Sequence, residues 1–309
     1  MKQNILALTI LCLCISSIPL SSAQEQTLPC TFRMMDGFYE CFLNAVSTPN
    51  NELWNFAFTG THIAGQSNAG VTRLNIQGSR SYFIIRQAFT TFVNLRVYSF
   101  TAPIAGNVMR FQADAFQNAN MLEQIIINGA GLNTIFPNAL IGAPNLQVLN
   151  LQNNLLTSLP NSLLDLSYRL TTCNLMQNQL TEIHQTFFAR TTNITNINLN
   201  NNQLTSLPQI LLSQTRLIVQ FHAQSNQINA IGRRFLDNLN ALTTLNLLGN
   251  ACVSQNFPNI NSGNINDVHT ALQNCYNNYG GSVEPRSFRM NLRGMMTLWR
   301  EDGTLVGRL

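Results

Sequence analysis

The chain has 309 residues, of which 45% are hydrophobic and only 10% are charged, whereas charged residues make up about 25% of a typical soluble domain. Asn, Gln, Ser and Thr supply most of the polarity instead. The net charge of +4 is modest, and the sequence contains no basic or acidic run, which argues against a nucleic-acid-binding protein and against a solvated acidic tail.

Residues 1–23 are predicted to be a signal peptide. Lys2 supplies the positive start, residues 5–20 form the apolar stretch, and the Ser-Ser-Ala sequence at 21–23 provides a small-residue cleavage site. A membrane anchor is the less favoured alternative, because the apolar run is shorter than a bilayer span and ends in serines. No later stretch is long and apolar enough to cross a bilayer, and the C-terminus has no GPI-type tail. We therefore expect a secreted, extracellular protein.

From residue 71 to residue 250 an apolar triplet recurs at positions 1, 4 and 6 of a unit that is 24 residues long, or 27 in one case. Positions 4 and 6 lie on the same side of an extended chain, which predicts a short strand with one buried face in every unit. A single unit cannot bury this face alone, but stacked units can, which predicts a solenoid. The triplets are Val71/Leu74/Ile76, Leu95/Tyr98/Phe100, Leu122/Ile125/Ile127, Leu146/Leu149/Leu151, Leu170/Cys173/Leu175, Ile194/Ile197/Leu199, Ile218/Phe221/Ala223 and Leu242/Leu245/Leu247.

In the last five units an asparagine follows the triplet after three residues. Its amide can both donate to and accept from the backbone of the turn, so we interpret these residues as an inward-facing structural ladder rather than as ligand contacts. The upstream units have Ser79, Pro103 and Ala130 at this position. The ladder residues are Asn154, Asn178, Asn202, Asn226 and Asn250.

The consensus L-x-x-L-x-L-x-x-N-x-L resembles the leucine-rich-repeat family, and in particular the short secreted members from insects and the ectodomains of Toll-like receptors. The resemblance implies an α/β solenoid with a curved parallel β-sheet on the concave face, short helical or irregular convex segments and disulfide-bonded caps. Trp54, Phe56 and Phe58 alternate and predict a strand of the N-terminal cap. The expected organisation is a signal peptide at 1–23, an N-terminal cap at 24–70, about eight repeats at 71–250, a C-terminal cap at 251–282 and a β-hairpin segment at 283–309.

The resemblance also implies one disulfide in each cap. Cys30 and Cys41 would pair just before the repeats, and Cys252 and Cys275 just after them. Cys173 occupies position 4 of its repeat and is expected to be a buried free thiol. An intermolecular disulfide is the alternative, and an inward-facing position argues against it.

Beyond the C-terminal cap, apolar and basic residues alternate. Arg289 and Arg293 belong to this pattern, and Asp302-Gly303 is a strong two-residue hairpin turn signal. The segment is either a solvated edge or a docking surface for a partner.

The sequence predicts no enzyme. None of the four histidines belongs to a known catalytic or metal-binding motif, and only His222 is expected on the concave face. No Asp or Glu occupies the concave positions of the five asparagine-bearing repeats, so neither a triad nor a metal site can form there. No cofactor is expected.

Positions 3, 5 and 7 of each repeat should face the concave side and form a field of amides and hydroxyls with almost no charge. Such a field suits a neutral glycan or an uncharged protein surface, although it could equally be a self-satisfied ladder that only keeps the face soluble. The candidate ligand-binding residues are Asn150, Gln152, Asn174, Met176, Asn196, Asn198, Asn200, Gln220, His222, Gln224 and Asn246.

These features favour a secreted recognition protein that binds an extracellular protein or a microbial glycan on its concave face, with innate immunity as the expected setting. The alternatives are a self-associating extracellular-matrix or adhesion protein and an inhibitor of an extracellular enzyme. Neither nucleic acid nor membrane insertion is expected, and a homodimer is compatible with the pattern. Asn193-Ile194-Thr195 is an N-x-T sequon, which predicts glycosylation of Asn193.

Overall fold

The computed structural model describes residues 25–49, 55–102 and 107–279, together with the backbone of three strands further along the chain. The signal peptide expected at 1–23, Trp54, Pro103 and the Asp302-Gly303 turn lie outside the described residues. No helix in the described ranges is long and apolar enough to cross a bilayer.

The described chain is mostly β-structure with few helices. In chain order the strands are β1 (Glu25–Pro29), β2 (Thr31–Met35), β3 (Phe38–Asn44), β4 (Asn55–Thr59), β5 (Arg73–Gln77), β6 (Val97–Thr101), β7 (Arg110–Phe111), β8 (Gln124–Asn128), β9 (Thr134–Ile135), β10 (Val148–Asn150), β11 (Thr172–Asn174), β12 (Asn196–Asn198), β13 (Ser206–Leu207), β14 (Gln220–His222), β15 (Ala230–Ile231), β16 (Thr244–Asn246), β17 (Asn256–Pro258), β18 (Ser287–Met290), β19 (Met296–Trp299) and β20 (Leu305–Arg308). The α-helices are α1 (Gln87–Thr91), α2 (Ile265–Ala271) and α3 (Gln273–Tyr279), and a 3₁₀ turn spans Asn68–Gly70.

The main sheet has eleven strands in the order β17-β16-β14-β12-β11-β10-β8-β6-β5-β3-β2. All pairs from β3 to β16 are parallel, and an antiparallel strand closes each end, with β2 on β3 and β17 on β16. Eight of these strands, from β5 to β16, carry the repeated apolar triplet, so the solenoid makes about seven turns. This mostly-β solenoid confirms the predicted fold.

The triplets form the core that the solenoid encloses. No member of any triplet is more than 3% exposed. Position 4 is in register across the sheet, so that Leu149 lies beside Cys173, and Phe221 lies beside Ile197 and Leu245. Because each repeat covers the apolar side of the next, the core runs the length of the solenoid.

The outer half of each repeat is mostly turn structure. α1 is the one α-helix on this side within the described repeats, and the pairs β7–β9 and β13–β15 add short parallel ladders. A segment of about ten residues is too short for a stable helix of its own, so packing decides its conformation. A buried apolar residue six positions before the start of every repeat from the second to the eighth packs this segment against the core: Phe89, Phe116, Leu140, Leu164, Phe188, Leu212 and Leu236.

Both caps contain a disulfide. Cys30 and Cys41 are joined across the β2–β3 hairpin, and Cys252 and Cys275 join the end of the last repeat to α3. The turn between β2 and β3 has Asp36 at φ 51° and Gly37 at φ 80°, the left-handed pair of a two-residue hairpin. Each bridge closes an apolar end of the solenoid.

The C-terminal segment contains three strands, where the sequence indicated a single hairpin. β18 pairs with β19 and β19 with β20, all antiparallel. The side chains of Arg289 and Arg293 lie outside the described part of the chain.

Candidate functional site: the concave face

The concave face is built from positions 3, 5 and 7 of the repeats. In each of the three-residue strands β10, β11, β12, β14 and β16 the central residue is buried and its two neighbours are half-buried. The parallel register aligns the position-5 residues Asn150, Asn174, Asn198, His222 and Asn246 in one row.

Much of this polar surface is already hydrogen-bonded to itself. Asn174 Nδ2 donates to Gln152 Oε1 at 2.9 Å, and Asn196 Nδ2 donates to Gln220 Oε1 at 2.9 Å. Asn246 Nδ2 likewise donates to Gln224 Oε1 at 3.0 Å. An amide NH₂ has two hydrogens, so each bonded group keeps a second donor for a ligand. The face therefore presents amides whose orientation is fixed in advance.

The position-5 asparagines also terminate their strands. The Oδ1 of Asn174 accepts from the backbone N–H of Met176 at 3.1 Å, and that of Asn198 from Asn200 at 3.1 Å. His222 replaces this asparagine in β14, and there the N–H of Gln224 donates to Asn200 Oδ1 at 2.7 Å instead. Position 5 is so often asparagine because its side chain accepts the backbone hydrogen bond that ends the strand.

His222 stands between Asn198 and Asn246 in register. Partial burial lowers its pKa from the ordinary value of 6.5, because desolvation disfavours the imidazolium. The neutral imidazole can both donate and accept a hydrogen bond, like the amides on either side of it.

The other three histidines are bonded to their own surroundings. His62 bridges the hydroxyl of Tyr39 at 2.8 Å and the carboxamide of Asn68 at 2.9 Å. His184 contacts Thr186 Oγ1 at 2.8 Å, and His269 contacts the hydroxyl of Tyr276 at 2.9 Å. Among the described residues, no three His, Cys, Asp or Glu side chains come together as a metal site would require.

The N-terminal end of the concave face was not predicted from the sequence. There Glu40 on β3 is fully buried and paired with Arg33 on β2, whose Nε donates to Oε1 at 2.5 Å. Arg73 on β5 lies 3.8 Å from the same carboxylate and also pairs with Asp36. The alternation along β3, with Tyr39, Cys41 and Leu43 inward, could have placed Glu40 on this face.

The guanidinium groups of these two arginines each stack on a phenylalanine ring. The guanidinium of Arg33 lies 4.0 Å from the ring centre of Phe42, and that of Arg73 lies 4.0 Å from the ring centre of Phe38. Stacking and ion pairing together restrict both side chains. We call Arg33, Phe38, Glu40, Phe42 and Arg73 the N-terminal concave cluster.

The ladder asparagines lie behind the concave rows, in the core. Asn178 Oδ1 accepts from the N–H of Leu156 at 3.1 Å, while its Nδ2 donates to the carbonyls of Leu151 and Leu175 at 2.9 and 3.0 Å. In the first repeat Ser79 occupies the ladder position, and its Oγ accepts a hydrogen bond from the backbone N–H of Val46 at 3.0 Å. Asn154, Asn178, Asn202 and Asn226 are all buried, and Asn250 at the end of the ladder is half-buried.

A family model described as the BspA type leucine rich repeat region matches the chain in six copies, over residues 34–163 and 167–279. The match covers well over half of the sequence. The chain belongs to the BspA type leucine-rich-repeat family. Leucine-rich-repeat solenoids typically serve as binding scaffolds rather than as enzymes.

Solved structures with the same fold include two of the Toll–Spatzle complex, described as a molecular hub in Drosophila development and innate immunity. One has a TM-score of 0.54 and 22% identity, over 62% of this chain and 27% of that chain. The other, a glycosylated form, has a TM-score of 0.54 and 24% identity, over 60% of this chain and 24% of that chain. The present chain thus spans about a quarter of those structures, and the likeness shows the fold alone. No protein with a curated function matches this sequence.

The single free cysteine of the described leucine-rich-repeat region is Cys173, and it is fully buried. Burial raises the pKa of its thiol from 9.0 to about 12. A protonated thiol without access to solvent is neither a nucleophile nor a metal ligand.

Proposed function

We propose that this leucine-rich-repeat protein is an extracellular recognition protein and that it binds another protein, or a glycan on a protein or microbial surface, through its concave face. The proposal is supported by the ordered amides of the concave face: the Nδ2 groups of Asn174, Asn196 and Asn246 each donate one hydrogen bond and keep a second N–H to donate. Side chains that are already fixed lose little conformational entropy on binding, which favours recognition.

The extracellular part of the proposal draws support from the cysteines. Two disulfides close the two caps, and structural disulfides persist mainly in oxidising compartments. The predicted signal peptide agrees with this location. Toll, whose solved complex with Spatzle shares this fold, is described in connection with innate immunity, and we extend that setting to this chain as part of the proposal.

The N-terminal concave cluster would supply the charged end of the same surface. Arg33 is about a third exposed, with its guanidinium held by Glu40 and Phe42. Arginine and aromatic side chains are enriched among the residues that dominate binding energies at protein interfaces. A protein ligand could therefore be anchored at this end and aligned along the amide rows. Because Glu40 and Asp36 pair with the two arginines, the cluster adds little net charge to the surface.

The test is capture from extracellular fluid with the secreted chain immobilised. Three baits are compared: the wild type, Asn198→Arg/His222→Glu on the concave face, and His184→Glu on an exposed turn outside it. We expect a defined partner on the wild type and on His184→Glu, and its loss on the concave variant. Equal capture by all three baits would contradict the concave site.

A separate measurement distinguishes recognition from self-assembly. An apparent molecular mass in solution that keeps rising with protein concentration would favour a self-assembling matrix protein.

A further inference from the structure

One flank of the solenoid exposes apolar side chains where the chain enters the strands. Tyr168 is 48% exposed and precedes β11, and Leu217 is 51% exposed and precedes β14. The register of β11, β12 and β14 places Asn193, which precedes β12, between them. Asn193 is exposed, and its Nδ2 donates to the carbonyl of Tyr168 at 2.9 Å.

The asparagine and the threonine of the sequon each have a structural equivalent in other repeats. Asn145 donates in the same way to the carbonyl of Asn120 at 2.6 Å. Thr195 Oγ1 donates to the carbonyl of Thr171 at 3.1 Å, as Thr243 Oγ1 does to Val219 at 3.2 Å. Packing therefore explains these residue types, but it does not explain why apolar side chains stand exposed on both sides of the sequon.

We propose that an N-linked glycan on Asn193 lies across Tyr168 and Leu217 and covers them. The proposal rests on the extracellular route of the proposed function, because the sugar is added in the secretory pathway. In that step the Nδ2 of Asn193 forms a bond to C1 of the first sugar, a lipid-linked diphosphate leaves, and one amide proton is released.

The geometry suits this modification. The linkage replaces one of the two Nδ2 hydrogens, so the other still donates to the Tyr168 carbonyl. Neighbouring strands lie about 5 Å apart, which puts Tyr168 and Leu217 within reach of the first sugars. The C–H face of a sugar packs on an aromatic ring and removes apolar surface from water. Asn94 and Asn145 occupy comparable places but lack a hydroxyl residue two positions later.

The test is chemical nitration of Tyr168 in protein secreted from animal cells, with the glycan mapped by mass spectrometry. Thr195→Val removes the sequon together with one hydroxyl bond, and Thr243→Val removes the equivalent bond alone. Tyr82, which is partly buried in an upstream repeat, serves as the internal reference.

We expect a glycan on Asn193 in the wild type and several-fold faster nitration of Tyr168 in Thr195→Val. Thr243→Val and the Tyr82 rate should show no such change. A secreted chain without sugar on Asn193 overturns the proposal, and so does a glycosylated chain in which Tyr168 reacts as fast as in Thr195→Val. Either result leaves concave-face binding intact, because neither measurement involves that face. Retention of the chain inside the cell would instead count against its extracellular role.

Discussion

Asparagines four positions apart in the same repeat have different roles. Asn202 is buried, accepts from the N–H of Leu180 at 3.1 Å and donates to the carbonyls of Leu175 and Leu199. Asn198 is half-buried on the concave face and accepts one backbone hydrogen bond, from Asn200. The first amide therefore joins its own repeat to the preceding one, whereas the second closes a local turn.

We predict that Asn202→Ala destabilises the protein more than Asn198→Ala. The first change leaves buried backbone groups unpaired, at a cost of about 1–3 kcal/mol. The second removes one partly exposed bond, at about 0.5–1 kcal/mol. Denaturant unfolding of both variants measures the difference, and equal losses would mean that the ladder and concave positions are interchanged.

His222 makes the stability of the protein depend on pH. Its pKa is lowered in the folded state, so its contribution is fully present above the ordinary value of 6.5 and is lost as the pH falls through the folded value. We predict that His222→Asn, which restores the residue of the neighbouring strands, reduces the drop in Tm between pH 7.5 and pH 5. The exposed His184→Asn is the control and should keep the wild-type drop.

Among the elements of the fold, the N-terminal cap is closed internally by its disulfide and is joined to the first repeat by charged and polar contacts. Glu40 on β3 accepts from Arg33 on β2 and, at 3.4 Å, from Asn75 Nδ2 on β5, so one carboxylate joins three strands. Removing a buried partner leaves the remaining charges uncompensated.

We predict that Glu40→Gln destabilises the fold by about 1–3 kcal/mol, because Arg73 is left largely buried without its full countercharge. Glu123→Gln is the matched control, since it breaks the more exposed bidentate pair with Arg96. An exposed pair of that kind contributes at most about 1 kcal/mol. Thermal melts of both variants decide the matter, and a larger loss for Glu123→Gln would contradict the assigned role of Glu40.

The repeats could be predicted from the sequence because the same apolar and asparagine positions recur at a fixed spacing. In the asparagine-bearing repeats, stacking requires a buried apolar side chain at position 4 and a hydrogen-bonded amide at the ladder position every 24 residues. Leu149, Phe221 and Asn178 lie at these positions and are buried as predicted. The N-terminal concave cluster could not be predicted in this way, since β2 and β3 belong to no repeat. Its contacts depend on a pairing register, Glu40 beside Arg73, that no periodicity encodes.

The sequence indicated the amide rows and allowed for hydrogen bonds within them, but it could not predict which side chains pair. Asn174 and Gln152 are 22 residues apart, and their contact depends on side-chain rotamers across two strands. The convex segments were expected to be short helical or irregular, and most are irregular because segments this short form a helix only where packing of buried residues such as Phe188 and Leu212 allows it.

Across the whole molecule, the amide-bearing part of the concave face and the charged segments lie in different places. The concave positions of β10 to β16 carry no Asp, Glu, Lys or Arg, whereas the N-terminal concave cluster and the segment around Arg289 and Arg293 do. Uncharged hydrogen-bonding groups gain little from long-range attraction, so salt should screen little of their binding energy. A partner held by the C-terminal arginines would instead lose affinity steeply with salt.

The most direct test of concave-face recognition is a salt titration of partner affinity for three proteins: the wild type, Asn198→Arg/His222→Glu and Arg289→Glu/Arg293→Glu. We expect a shallow salt dependence for the wild type and for the C-terminal variant, with affinity lost in the concave variant at every salt concentration. A steep dependence in the wild type, with loss of binding only in Arg289→Glu/Arg293→Glu, would contradict it and move the site to the C-terminal segment.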